Sequence, residues 1–216
     1  MTHLVAINGS PRKNGNTATL LEHACKGARS RGASVTQVHL YDLMYHGCRS
    51  CFACKTKGGR SYGRCAVRDD LTPVLSDISE ADALILGSPL YFGTVTGAMR
   101  SCTERLLFPY LEYTSPPHSL APRRIRAAYI LTMNVTEEEL KTHGYSQHPV
   151  LNERVLGMLL GSAETLYSYD TCQFEDYTRV VNELFDPVRK AERRERVFPE
   201  DCKRAFDLGV RLVGSE

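Results

Sequence analysis

The chain has 216 residues, and its 27 Lys and Arg against 25 Asp and Glu leave a formal net charge of only +2. That balance excludes the strongly basic surface that nucleic acid or an anionic membrane demands, and no apolar stretch is long enough to cross a bilayer. The N-terminus lacks the apolar core of a signal peptide, so we expect a soluble, cytoplasmic protein of one domain spanning residues 1–216, with eight cysteines suited to metal or redox chemistry in a reducing compartment.

Leu4-Val5-Ala6-Ile7 reads as a buried strand. It runs into Asn8-Gly9-Ser10-Pro11-Arg12-Lys13-Asn14-Gly15-Asn16-Thr17. A helical pattern follows from about Asn16 to Arg31, with Leu20, Leu21, Ala24 and Ala28 at helical spacing and Gly32 ending it. A strand, a glycine-bearing polar loop and a helix start make an anion site, because the first N–H groups of the helix lack partners and carry partial positive charge. Ser10, Asn14, Asn16 and Thr17 offer hydrogen bonds to phosphate oxygens, and Arg12 adds charge. An ordinary capping turn is the plainer alternative. The whole string directly after a buried strand favours phosphate. The loop carries neither the Walker ending nor the dinucleotide glycine pattern.

Ser34 to Leu40 is strand-like, and its mixed polarity suggests a sheet edge. Tyr41 to Arg68 is irregular and holds four glycines and a cysteine cluster; a loop this long in a compact domain is usually functional. Asp69-Asp70 opens a helix through Val74, Leu75 and Ile78. Ala81 to Gly87 is the clearest central strand and runs into the loop Ser88-Pro89-Leu90-Tyr91-Phe92-Gly93-Thr94. A helix over Thr96 to Leu107, a Pro-rich connection over Ser115 to Arg124 and a strand over Ala127 to Met133 follow. Glu137–Leu140 and Val150–Leu160 are helical, Ala163–Gln173 reads as the last strand, and Asp186–Val213 is helical. The charge run between Arg189 and Arg196 reads as a solvated face.

Strands alternating with helices imply a doubly wound α/β fold with a parallel sheet. Five strands with the anion loop after the first fit the flavodoxin-like order 2-1-3-4-5, with a cysteine-rich insertion after the second strand (about residues 41–68). In such sheets the ligand lies at the carboxyl ends of the strands, at the switch point between the first and third.

Gly-Ser-Pro-Arg-x-x-Gly-Asn-Thr resembles the first loop of the flavodoxin-like NAD(P)H-dependent FMN reductases, and Pro89-Leu90-Tyr91-Phe92-Gly93 resembles their third-strand loop. The resemblance covers the chain to about Leu160; the last fifty or so residues carry no recognisable motif. It implies an FMN site with the phosphate among Ser10, Arg12, Asn14, Asn16 and Thr17. It places the isoalloxazine ring and ribityl chain against Pro89, Leu90, Tyr91, Phe92 and Gly93. Thr132, Met133 and Asn134, after the fourth strand, can bond or cover the flavin edge, or simply cap a helix.

Cys48-x-x-Cys51-x-x-Cys54 followed by Cys65 supplies four thiols, enough for a [4Fe–4S] cluster or one zinc. The segment resembles that of the iron–sulfur flavoproteins, except that ten residues separate the last two cysteines where the family usually has fewer. Free thiols or a redox-sensitive pair remain alternatives. We expect this loop to fold over the carboxyl edge of the sheet, beside the flavin. Cys25, Cys102, Cys172 and Cys202 are scattered and suit core or surface positions. His46 is placed to bond a ligand sulfur or the flavin, and His143 and His148 to border a substrate pocket; each is more commonly a solvated loop residue. No Ser/His/Asp or paired-carboxylate pattern argues for hydrolysis.

These features imply an FMN-dependent oxidoreductase with NAD(P)H as co-substrate. Electrons would pass between a reduced nicotinamide or a ferredoxin-like donor and a quinone or other small acceptor, through the cluster if one is present. A flavodoxin-type electron carrier and a cysteine-based redox sensor are the rival readings. The resemblance also implies a homodimer or homotetramer; the apolar-aromatic run Leu106 to Tyr113 suits an exposed interface patch or, equally, a helix end and core.

Overall fold

Continuous apolar runs need cover on both faces, and the computed structural model, which describes residues 1–214, supplies it with two helical layers. In chain order the elements are β1 (His3–Asn8), α1 (Asn16–Ser30), β2 (Ser34–His39), α2 (Leu71–Glu80), β3 (Ala83–Tyr91), β4 (Thr94–Val95) and α3 (Gly97–Tyr110). They continue with β5 (Leu111–Glu112), β6 (His118–Ser119), β7 (Ile125–Thr132), α4 (Glu137–Thr142), α5 (Gln147–Leu160), β8 (Gly161–Ser168), α6 (Pro187–Arg196) and α7 (Phe198–Val213). The main path is β2-β1-β3-β7-β8, and every pair along it is parallel. Counting only those five strands, this is the flavodoxin-like order 2-1-3-4-5, with β2 at an edge as its mixed polarity implied.

Side chains alternate across each strand. Leu4, Ala6, Ala83 and Ile85 meet α1 and α7 through Leu20, Ala24, Leu208 and Leu212. Val5, Ile7, Leu84 and Leu86 meet α2, α3 and α5 through Ile78, Met99, Leu106 and Leu156. The α1–α7 contact is close because two glycines face the opposite backbone. A Cβ at Gly27 would lie 2.0 Å from Phe206 O, and one at Gly209 would lie 1.8 Å from Ala24 O. This contact fixes the C-terminal helices against the sheet.

Several expectations change. Ser88 to Tyr91 is not loop: β3 continues through it, pairing with β7 as far as Pro89, then turns back into β4. Tyr169 to Gln173 is not strand, because β8 ends at Ser168 and Asp170 turns the chain with φ +52°. The last helix is two helices, α6 and α7, with Pro199 in the first turn of the second, where its missing N–H is harmless. Of the two readings of Leu106 to Tyr113, helix end and core holds, since Leu106, Leu107 and Tyr110 are buried. Among the described residues, no helix is long and apolar enough to cross a membrane.

Candidate functional site

β1 ends at Asn8, whose side-chain oxygen accepts from Ser10 N at 2.9 Å, while Ser10 Oγ accepts from Arg12 N at 3.1 Å. These bonds shape the following loop from within. Gly9 has no room for a side chain, since a Cβ would lie 2.9 Å from both Cβ and Cε of Met99. Thr96 Oγ1 donates to Gly9 O at 2.6 Å and caps α3 by accepting from Met99 N, locking the first loop to the start of that helix. The N-cap of α1 is Gly15, with no side-chain cap and no acidic residue in the first turn. The first N–H groups of α1 are thus available to an anion.

This loop forms one wall of a cleft of about 610 Å³, within the usual range for small-molecule sites. Ser10, Arg12, Asn14, Asn16 and Thr17 all line it, with Pro89, Leu90, Tyr91, Thr132, Met133 and Asn134. The loop after β1, the carboxyl-end residues of β3 and the end of β7 with the loop after it therefore converge at the carboxyl edge. On the buried floor, the hydroxyls of Thr17 and Thr132 lie 2.8 Å apart. Asn134 donates to Gln173 Oε1 at 2.9 Å, yet its own buried Oδ1 has no partner. A ligand N–H would satisfy that acceptor. The donor-rich end and this orphaned oxygen fit a phosphorylated flavin.

Two of the twelve expected FMN residues are not brought into the cleft. Phe92 and Gly93 form a two-residue turn between β3 and β4, with φ of +52° and +78°. The phenyl ring of Phe92 is 95% exposed, and a Cβ at Gly93 would lie 2.6 Å from the Tyr145 ring. Two positive φ values are what such a hairpin requires, so Gly93 serves the turn and Phe92 bears strain. His143 and His148 are exposed and line no part of the cleft.

The far wall comes from Thr171, Cys172, Gln173, Phe174 and Glu175 after β8, and from Ala191 and Arg194 of α6. None of these was expected. Arg12 donates to Gln173 O, and Asn16 Nδ2 donates to Cys172 O at 2.9 Å. The signal was available: the rule that ligand residues follow strand ends applies to the fifth strand as well. The charge run on α6 is not simply solvated. Lys190 is 2% exposed; it pairs with Asp170 and donates to Asn134 O at 2.6 Å. Arg193 pairs with Asp201 of α7.

Cys48, Cys51, Cys54 and Cys65 surround one small cavity with Phe52, Phe108 and Pro109. Among the described residues, no three His, Cys, Asp or Glu side chains are arranged to hold a single metal ion. The four thiols border this one space without converging on a point. Ser50 and Phe52, flanking Cys51, have φ of +50° and +54°. Left-handed non-glycine residues cost energy and cluster at ligand sites. Burial pushes the Cys54 thiol up from its ordinary value.

Arg105 of α3, 1% exposed, secures this loop. Its guanidinium pairs with Asp69 and donates to His46 O and Val67 O at 3.2 Å and to Cys65 Sγ at 3.4 Å. Burial alone would raise Asp69, but Arg105 holds the carboxyl below its ordinary value. Lys55 donates to Phe108 O and Leu111 O at the end of α3. His46 contributes its carbonyl here; its side chain is not among the groups bounding the cysteine cavity. The loop therefore follows α3 and does not fold over the carboxyl edge. Arg105 is nine residues along from Thr96, about 14 Å at the helical rise, and none of the four cysteines lines the cleft.

The fold has close counterparts among solved structures. An azoreductase from Bacillus anthracis superposes with a TM-score of 0.71 at 16% identity, covering 98% of this chain and 100% of that one. An NAD(P)H:quinone oxidoreductase from Methanothermobacter marburgensis gives 0.67 at 15% identity, covering 100% and 98%. At such identities the likeness establishes the fold alone. An iron–sulfur flavoprotein of Archaeoglobus fulgidus is 39% identical over 102 residues, 47% of this chain and 47% of the relative. One from Methanocaldococcus jannaschii is 34% identical over 102 residues, 47% of this chain and 50% of the relative. The matched stretch thus spans about half the length of these curated relatives. The sequence model of NADPH-dependent FMN reductases matches residues 2–160, the stretch that builds β1 through α5 and the cleft residues that follow or end β1, β3 and β7. The chain belongs to the NADPH-dependent FMN reductase family, a family of oxidoreductases.

Proposed function

We propose that this protein moves electrons between a reduced nicotinamide, or a ferredoxin-like donor protein, and a quinone or other small acceptor, using FMN in the cleft and a [4Fe–4S] cluster on the four cysteines. The observation that carries the reading is the convergence of the loop after β1, the carboxyl end of β3 and the loop after β7 on one cleft whose inner end is rich in donors. FMN, when bound, supplies both hydride and single-electron chemistry. The residues of the chain bind and orient it. Ser10, Arg12, Asn14, Asn16, Thr17 and the α1 N-terminus would hold the phosphate. Pro89, Leu90 and Tyr91 would flank the ring, Tyr91 with a flat apolar face. The unpartnered Asn134 oxygen would accept from the ring edge. Cys48, Cys51, Cys54 and Cys65 would ligate the cluster, as the names of the iron–sulfur flavoprotein relatives suggest.

We also infer a homodimer or homotetramer. The apolar side chains left exposed on α5, Val150, Leu151 and Met158, suit an interface better than the buried end of α3. The test of function is anaerobic mixing with NADPH or NADH, watching the visible absorption band of the oxidised flavin. Bleaching by a nicotinamide and recovery on adding a quinone is the expected result. A flavin that no nicotinamide and no reduced ferredoxin can bleach would refute the reading.

A further inference from the structure

Arg194 stands against the phosphate loop from outside the family-matched region. It lines the same cleft as Arg12, Asn16 and Thr17, and its Nη1 donates to Asn16 Oδ1 at 3.2 Å. One bond of this kind uses one of the five N–H donors of a guanidinium. The Phe198 ring lies under the same group, 5.8 Å from its central carbon.

The helix that carries Arg194 is held in place. Lys190, Arg193 and Arg194 have the i, i+3, i+4 spacing of one helix face. Lys190 is buried against Asp170 and donates to Asn134 O, so it binds α6 to the loops after both β7 and β8. Arg193 pairs with Asp201, which also accepts from Ser168 Oγ at 2.7 Å. With Lys190 anchored to the half-buried Asp170 and Arg193 to the buried Asp201, the third basic group is presented to the cleft. Arg12, Arg194 and Glu175 are the charged residues that line this cleft. Two guanidiniums against one carboxylate favour an anion, and a guanidinium fork matches phosphate geometry.

We propose that Arg194 is a second phosphate-recognising guanidinium, supplied by the C-terminal helix α6, which makes the cleft selective for a flavin bearing a phosphate monoester. This rests on the reading of the cleft as an FMN site and adds a role for residues beyond it. A nicotinamide 2′-phosphate is chemically the same kind of group, but the bond from Arg194 to Asn16, at the start of α1 beside the first loop, assigns it to the flavin phosphate.

The test uses the full-length chain, stripped of flavin and titrated by fluorescence quenching with FMN and, separately, with riboflavin, which lacks the phosphate. Wild-type protein should bind FMN at least a hundredfold tighter than riboflavin. In Arg194→Ala the FMN Kd should rise at least tenfold with the riboflavin Kd unchanged. Arg194→Lys, which keeps the charge without the fork, should fall between the two. Arg194 is exposed, so the variants should fold, and an unchanged thermal midpoint will show it. An FMN Kd within twofold of wild type in Arg194→Ala, or equal weakening of FMN and riboflavin, would overturn the proposal while leaving the FMN site standing. A loss of NADPH preference over NADH with unchanged FMN affinity would overturn it in favour of the nicotinamide. Wild-type protein that does not distinguish FMN from riboflavin would overturn the phosphate-loop reading itself and this proposal with it.

Discussion

Arg105 on α3 reaches across to the cysteine loop and donates to Cys65 Sγ at 3.4 Å while paired with Asp69. The same guanidinium bonds His46 O and Val67 O, so one side chain joins the two ends of a loop of more than twenty residues. This offers a physical account of the ten-residue gap before Cys65: the intervening chain can loop out because Arg105, not chain length, sets where Cys65 stands.

Replacing Arg105 with Met should therefore unfold more than a bond. It strands Asp69 in a largely buried position, and breaking such a pair from one side costs about 3–5 kcal/mol. Chemical denaturation should show a loss of this order, and anaerobically prepared Arg105→Lys, a milder change, should retain less than half the wild-type iron. Full iron content and unchanged stability in both variants would contradict the role given to Arg105.

The hydroxyl pair of Thr17 and Thr132 is the buried floor of the cleft. The combined change Asn16→Ala and Thr17→Val removes two phosphate-loop donors and leaves the Thr132 hydroxyl without this partner, at roughly 1–3 kcal/mol. We expect FMN affinity to fall at least tenfold in a fluorescence titration, with a native circular dichroism spectrum. Unchanged affinity would show that the loop does not hold the phosphate.

Much of this architecture was legible in the chain. Leu4 to Ile7 is buried on both faces, so it reads as an unbroken apolar run. Ser34 to His39 lies at an edge, so its polarity is mixed. What sequence could not reveal depends on partners far away along the chain. The strand-ending turn at Asp170 is stabilised by Lys190, twenty residues later. The basic residues of α6 look solvated until Asp170 and Asp201 are seen beneath them. Arg105 belongs to no sequence motif; its phase among Cys102, Leu106 and Leu107 is the one signal that it lies on the buried face.

Phe92 holds a left-handed conformation, φ +52°, with its ring 95% exposed. Glycine at this position removes the strain and forfeits almost no packing. Phe92→Gly should raise the unfolding free energy by about 1 kcal/mol. Because Phe92 does not line the cleft, the variant should keep its FMN affinity. A weakened FMN site would instead mean that the turn closes onto the cofactor.

Glu139 accepts from the backbone N–H of Thr136 at 2.7 Å in the capping box of α4, and this bond holds its carboxyl below the ordinary value of 4.5. A lowered folded-state pKa contributes stability above the unfolded value and loses it as pH falls through the folded one. Protection of the α4 amides from hydrogen exchange should thus be constant from neutral pH down to about the ordinary glutamate value and fall below it. Glu139→Gln keeps an oxygen acceptor that does not titrate, so its protection should not show this acid-side loss. Identical profiles for the two proteins would contradict the assignment.

We propose FMN in the cleft and a cluster on Cys48, Cys51, Cys54 and Cys65. The measurement that tests it most directly is the visible spectrum of anaerobically purified protein, with iron and sulfide assayed on the same sample. We predict a flavin band with a broad iron–sulfur shoulder and about four irons and four sulfides per chain, as a [4Fe–4S] cluster requires. In Cys51→Ser the shoulder and the iron should be lost with the flavin retained. Flavin without iron in the wild-type protein would contradict the cluster, and no flavin even after FMN is added would contradict the account at its centre.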